Sequence, residues 1–419
     1  MDTPTEQESD SPNLSAGFSR LVILSILVAA LGYFVDIYDL LLFSIVRVKS
    51  LQSLGLSGDA LLSKGVLLLN MQMLGMLLGG IFWGIIGDKK GRLSVLFGSI
   101  FIYSIANILN GLVQNVEQYA LLRFIAGVGL AGELGAGITL VSELMPRHSR
   151  GYGTTIVASV GILGAVVAAF VANLFDWRTS YYIGGGLGLC LLLLRVGLFE
   201  SGMFSKVKEN KISRGNFLML FNNLPRALKY LNCILIGLPI WYVVGILITF
   251  SPEFGKAFGM AELPTAGNAV KYCYIGLSLG DLGSGLLSQR LRSRKKVVWL
   301  FLGLTALAVG AYFILAPQSL GIFYLVCGFL GFSVGFWAIF VTMASENFGT
   351  NIRATVTTTA PNFIRGSVVP LTLAFEASKG SLGLSGSALM IGAVTLLISA
   401  IALSRLEETY GRDLDFLEN

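Results

Sequence analysis

Apolar runs suited to crossing a lipid bilayer recur along the whole chain, with cores such as LVILSILVAALGYF, LCLLLLRVGLF and LMIGAVTLLISAIAL. A helix needs about 20 predominantly apolar residues to span the hydrocarbon layer. Divided at charged or Gly/Pro-rich breaks, the runs predict twelve spans. They lie near residues 21–46, 65–87, 93–114, 118–144, 153–174, 180–199, 231–251, 268–289, 297–316, 319–343, 354–378 and 384–404. Only 13% of the 419 residues are charged and mean hydropathy is +0.75, whereas soluble domains carry about a quarter charged residues. A soluble globular fold is thereby excluded. The 51 glycines suit close approach of membrane helices. The expected fold is an all-α polytopic membrane protein.

The longest polar stretch separates the sixth span from the seventh. The organisation read from it is a disordered tail 1–20, a six-helix half 21–199, an inter-half loop 200–230, a second six-helix half 231–404 and a tail 405–419. The first twenty residues lack the basic start of a signal peptide. With the N-terminus inside, most of the 30 lysines and arginines fall on one face, including the 89–92 loop, Arg195 through Lys229 and Arg290 through Lys296. Arg47, Lys49, Lys64, Arg178, Lys256 and Lys379 fall on the other, and Arg123, Lys271 and Arg365 stay within spans. The positive-inside rule then places both termini in the cytoplasm, and short loops suggest a bacterial inner membrane. The net charge of +6 is an orientation signal and gives no reason to expect nucleic acid. Cys190, Cys233, Cys273 and Cys327 stand apart, and His148, read as a solvated loop residue, is the one histidine, so no metal or other cofactor is expected. A P-loop is absent, so energy would come from an ion gradient.

The halves echo each other. SELMPRHSRGYGTT (142–155) and SENFGTNIRATVTT (345–358) share Ser, Glu, Arg and two Thr in register, with the same spacing from Glu143 to Arg150 as from Glu346 to Arg353. Two repeats meeting at a central cavity, with substrate held near mid-membrane, is a common transporter plan. Ionisable residues inside spans are costly, about 3 kcal/mol each on insertion scales, and usually face a cavity. Asp36 and Asp39 are three residues apart and share a helical face with Tyr33, and Glu133 falls near the middle of span 4. Withdrawal from water alters a carboxyl's hold on its proton, so these three acids are candidates for proton coupling. The alternative is structural pairing with Arg123 or with each other. Arg365, near the centre of span 11 with Asn362 beside it, is a candidate anchor for an anionic substrate through paired hydrogen bonds. Alternatively it pairs with an acid such as Glu133 or Asp281. Asp281 in span 8, Trp241 and Tyr242 in span 7 and Trp337 in span 10 complete the expected substrate site. Tyr272 and Tyr274 read as an interfacial belt. Gly84, Asp88, Gly91, Arg92, Glu143, Arg150, Glu346 and Arg353 lie at helix ends, where ion pairs made and broken between states would form a conformational gate.

Several motifs resemble those of the major facilitator superfamily. GIIGDKKGR (84–92) resembles its G-x-x-x-D-R/K-x-G-R loop, RFIAGVGLAGE (123–133) its fourth-span R-x-x-x-G-x-G, and NFIRGSVVP (362–370) an eleventh-span pattern of the sugar-porter-like and metabolite:proton branches. Asp36-Ile37-Tyr38-Asp39 and Gly132-Glu133 are similar to patterns in phosphate:proton and aromatic-acid:proton symporters. The resemblance implies twelve helices in two pseudo-symmetric halves of six. Span 5 lacks the GPxxGG of proton–drug antiporters. Span 7 has neither the paired glutamines of sugar porters nor the acid of phosphate symporters. The expected function is therefore proton-coupled uptake of a small organic anion by a monomer in the lipid bilayer, with Asp36 and Glu133 as proton carriers. An uncoupled facilitator, an exporter and a transporter-like receptor are the alternatives. A membrane-embedded enzyme would need a catalytic histidine, a metal cluster or a larger soluble domain.

Overall fold

The computed structural model describes residues 20–90, 92–135, 137, 150–200 and 217–412. The first half contains α1 (Arg20–Ser53), α2 (Asp59–Lys90), α3 (Arg92–Asn110), α4 (Val116–Leu130), α5 (Arg150–Leu174) and α6 (Trp177–Glu200). The second contains α7 (Leu224–Ile248), α8 (Ala266–Leu291), α9 (Arg294–Ile314) and α10 (Leu320–Glu346). Two further helical stretches, Thr350–Gly366 and Val368–Arg405, follow with only Ser367 between them. Polar residues start several helices: the side chains of Asn115, Thr265, Ser293 and Ser319 each accept a first-turn amide, as N-caps do.

The last 51 apolar residues, Thr355–Arg405, are far too many for one crossing. At 1.5 Å per residue they would extend about 75 Å, more than twice the hydrocarbon thickness. The chain reverses at Gly383, whose φ of 68° and ψ of 176° are closed to residues bearing a Cβ. Contacts on either side confirm the turn. Thr372 Oγ1 donates to Asn70 Oδ1 of α2 at 2.7 Å. Beyond the turn, the α7 hydroxyl of Tyr242 donates to Ala388 O at 2.8 Å, and Ser399 Oγ donates to Leu235 O at 2.7 Å. Residues up to 382 thus complete α11, and 384–405 form α12, antiparallel to α7. The described helices make twelve crossings.

Polarity is inverted relative to a soluble core. Leu193, Leu286, Ile314 and Leu325 are more than two-thirds exposed, as lipid-facing residues should be, while Arg47, Arg123 and Arg365 are almost wholly buried. Within the first half α1 packs on α5, and α2 on α4; in the second, α8 packs on α10. The halves meet where α5 lies against α8 and α2 against α11. Helix α7 begins at Leu224, inside the expected loop 200–230, because Pro225 sits in its first turn and Arg226 Nη1 donates to Met219 O at 2.8 Å. Its basic opening turn reads as loop in the sequence.

The halves are fastened at the end of the bundle that carries Ser53. Arg47 of α1 pairs with Glu253 at 2.7 Å, in a short helix (Ser251–Ala257) following α7, and also donates to Leu61 O and Thr249 O. Its guanidinium lies 4.7 Å from the Phe250 ring centroid. Read as an exposed loop charge from sequence, Arg47 is a buried inter-half clamp. Gly383→Ala is expected to cost about 1–3 kcal/mol through backbone strain alone. Thermal unfolding in detergent should show a lowered midpoint, while Gly380→Ala, which has open space, should leave the midpoint near wild type.

Candidate functional site

Three helix irregularities build the centre of the bundle. Helix α7 widens to a π-turn over Val243–Ile248, a feature frequent at functional sites. Helix α10 is interrupted at 334–336, and Asp281 of α8 accepts the freed Ala338 amide at 2.8 Å. Asp281 thereby serves as the cap that aims Trp337 inward. Helix α4 breaks at Ala131–Gly132, and the buried Ala131 carbonyl accepts Asn362 Nδ2 of α11 at 2.9 Å.

Between the halves lies a cavity of about 30 Å³ lined by Tyr33, Trp241, Tyr274, Trp337 and Arg365 with apolar side chains from α1, α5, α7 and α8. That volume is too small for an organic substrate. The walls are aromatic and aliphatic, with one cation. Arg365 Nη2 lies 3.6 Å from Asp36 Oδ2 and its guanidinium 5.7 Å from the Trp337 ring centroid. Both charged groups are essentially inaccessible, at 1% and 0% exposure. Arg365 Nε and Nη1 and both Asp36 oxygens lack a well-formed hydrogen bond. The indole Nε1 of Trp241 is also unpaired.

Asp36, Tyr33, Arg365, Trp241 and Trp337 therefore come together. Asn362 and Tyr242 do not join them: Asn362 ties α11 to α4, and Tyr242 ties α7 to α12 with its ring against Gly392. Tyr274, expected at the membrane interface, lines the cavity. Asp39 points away from the cavity, toward Arg123 and Asn107 inside the first half. Glu133 pairs neither with Arg123 nor with Arg365. Both its oxygens are taken by Arg195 of α6, with Nη1 at 3.0 Å from Oε2 and Nη2 on Oε1. Arg195 also donates to the carbonyls of Leu96 and Val28, and Gly32 leaves the room this pair occupies. The sequence reading placed Arg195 among the charges of one membrane face. Its position within LCLLLLRVGLF, an arginine flanked by apolar residues, was the available signal.

Of the expected gate, Gly91 and Glu143 lie outside the described residues, as do the side chains of Asp88, Arg92 and Arg150. Gly84 faces Thr359 across the inter-half seam. Glu346 accepts Arg294 Nη2 at 3.3 Å and Thr409 Oγ1 at 2.6 Å, and Arg353 Nε donates to Ser345 O and Phe348 O. Nearby, Glu408 accepts the hydroxyl of Ser293 and the amides of Arg294 and Lys295. Burial works against its charge, but these donors hold its carboxyl below the usual carboxylate range.

Comparison with known proteins agrees with this architecture. The chain is 25% identical to a probable 4-methylmuconolactone transporter of Cupriavidus pinatubonensis, over 77% of this chain and 76% of that one. It is 25% identical to the niacin transporter NiaP of Acinetobacter baylyi, over 83% and 86%. The structure of the proton:xylose symporter XylE bound to 6-bromo-6-deoxy-D-glucose superposes with a TM-score of 0.69 at 17% identity, covering 94% of this chain and 98% of that one, and shares its fold. A model described as Major Facilitator Superfamily matches residues 22–367. The chain is an integral multi-pass membrane transporter and belongs to the Major Facilitator Superfamily.

Proposed function

We propose that this protein is a proton-coupled symporter that takes up a small, flat carboxylic acid by alternating access. The observation that carries the reading is the Asp36–Arg365 pair at the edge of an aromatic cavity. Arg365 has donor capacity that Asp36 does not satisfy, and a guanidinium binds a carboxylate through a planar pair of hydrogen bonds. The aromatic lining of Tyr33, Trp241, Tyr274 and Trp337 suits an unsaturated substrate body. The two relatives transport, by their names, a lactone and niacin, and niacin is an aromatic carboxylic acid.

Coupling follows from competition for one cation. With Asp36 ionised, Arg365 is occupied by it. Protonation of Asp36 removes that partner and frees the guanidinium for the substrate carboxylate, so anion and proton load together. We assign Asp39 as a second proton group, acting through Arg123. Glu133, with both oxygens held by Arg195, is assigned to tying α4 to α6 and not to carrying the proton. The expected orientation, with the Ser53 end outside, makes the Arg47–Glu253 clamp an outer closure.

The test uses proteoliposomes loaded with a pH-sensitive dye and given benzoate or nicotinate. Wild type is expected to acidify the lumen with substrate. Asp36→Asn should stop proton movement while leaving counterflow of labelled substrate, and an unchanged proton signal would overturn its role. Labelled uptake without acidification in wild type would instead establish the uncoupled facilitator.

Arg365→Lys keeps the charge and loses the fork, so apparent affinity should fall about 10- to 100-fold, the range for a charge-assisted hydrogen bond. Substrate-protected thermal shift measures this without transport. Equal affinity in the lysine variant would remove Arg365 from the carboxylate site.

A further inference from the structure

A second set of buried polar groups lies outside the cavity, within the first half. Tyr103, Ser104, Asn107 and Asn110 recur on α3 at helical spacing, and all four are fully buried. The hydroxyls of Tyr103 and Ser104 and both amide atoms of Asn110 have no hydrogen-bond partner, and Asn107 has only a loose contact with the Asp39 carboxylate. Beside Asn107, neither oxygen of Asp39 makes a well-formed hydrogen bond, and the Nε and Nη2 of Arg123, the cation nearest Asp39, are unpaired. From Asn110 to Tyr103 the stripe covers about 10 Å along the helix axis, ending at the last residue of α3.

The opposing wall of the seam is made of glycine. A Cβ at Gly184 would overlap Asp39 Oδ1, and one at Gly188 would overlap Ser104 Oγ. At these two positions helix α6 brings backbone, not a side chain, against Asp39 and Ser104. The charged and titratable groups around Asp39 are Arg123 of α4, Asp36 and Tyr38 of α1, Tyr103 of α3 and Tyr181 of α6. Tyr181 accepts Arg123 Nη1 at 3.0 Å and shares a 2.7 Å hydrogen bond with Tyr119. Buried polar groups without protein partners are ordinarily satisfied by ordered water, and here they form a row instead of a single site.

We propose that the seam between α3 and α6 is a hydrated proton path, separate from the substrate cavity, joining the Ser53 end of the bundle to Asp39 through Asn110 and Asn107. The path rests on the symport reading above. It lets a proton reach Asp39 while the cavity is closed or filled, so substrate and proton need not queue through one opening. Only protons move along it: each water accepts one proton as it passes on another, and the amides of Asn107 and Asn110 orient the waters.

Two readouts test it. Radiolytic hydroxyl-radical footprinting in nanodiscs is expected to label buried Tyr103, because labelling follows nearby water, and Asn107→Leu should abolish that labelling. In proteoliposomes, Asn107→Leu and Asn110→Leu should lower benzoate-driven proton uptake about tenfold, a modest share of what positioned proton-transfer groups supply. Benzoate counterflow should be unchanged, which shows that the variants fold, and Asn107→Ser should restore proton uptake. An unlabelled Tyr103 in wild type means a dry seam and overturns the proposal. Labelling with wild-type proton uptake in both leucine variants overturns it equally. If wild type moves benzoate but no protons, the symport reading itself fails, and the footprint separates that failure from a dry seam.

Discussion

A guanidinium held in the middle of a bilayer protein governs the rest of this structure. Arg365 cannot shed its charge, and it is 1% exposed. Removing one member of a buried ion pair typically costs about 3–5 kcal/mol, so the Arg365–Asp36 contact binds α11 in one half to α1 in the other. At 3.6 Å, and with donors to spare, it is also a loose pair. The Glu133–Arg195 pair offers the contrast: both carboxylate oxygens are engaged, and both Nη atoms also donate to backbone carbonyls, leaving only Nε without a partner. On the proposed reading, the first pair is the one exchanged for substrate and the second stays.

The helix irregularities serve this arrangement. Gly280 and Gly335 approach closely where α10 is interrupted, and that approach lets Asp281 cap the Trp337 segment. Trp337 then lies over the Arg365 guanidinium. The α4 break similarly frees a carbonyl for Asn362, three residues before Arg365 on α11. Asp281 and Asn362, read from sequence as substrate ligands, here hold the α10 segment of Trp337 and the α4–α11 contact beside Arg365.

How much of this was legible in the sequence depends on range. Apolar runs are local, so the twelve crossings were visible, and so were Asp36, Asp39 and Arg365 as charges inside them. The share taken by each charge was hidden, since Arg365 and Asp36 or Glu133 and Arg195 are joined only by the tertiary fold. Spacing placed Asp36 and Asp39 on one helical face, yet they serve different surroundings, because α1 is wrapped by both halves and a rotation of three residues still turns the helix by about 60°. Arg47 and Arg195 were taken for surface charges by rules that count basic residues near span ends. Long side chains near an end can equally turn inward, and each found an acid there.

The distribution of charge also limits the mechanism. The cavity wall has one cation and one facing carboxylate, Asp36, with the remaining lining uncharged. In so apolar a place an incoming carboxylate adds a negative charge that nothing else offsets, and an unpaired buried charge is costly. In the proposed symport, entry of the anion therefore favours neutralising Asp36, and neutralising Asp36 leaves Arg365 in want of an anion. Each event makes the other more favourable by the same free energy, since coupling between two binding steps is reciprocal. Coupling of this kind needs no long-range signal, only that two acids share one arginine.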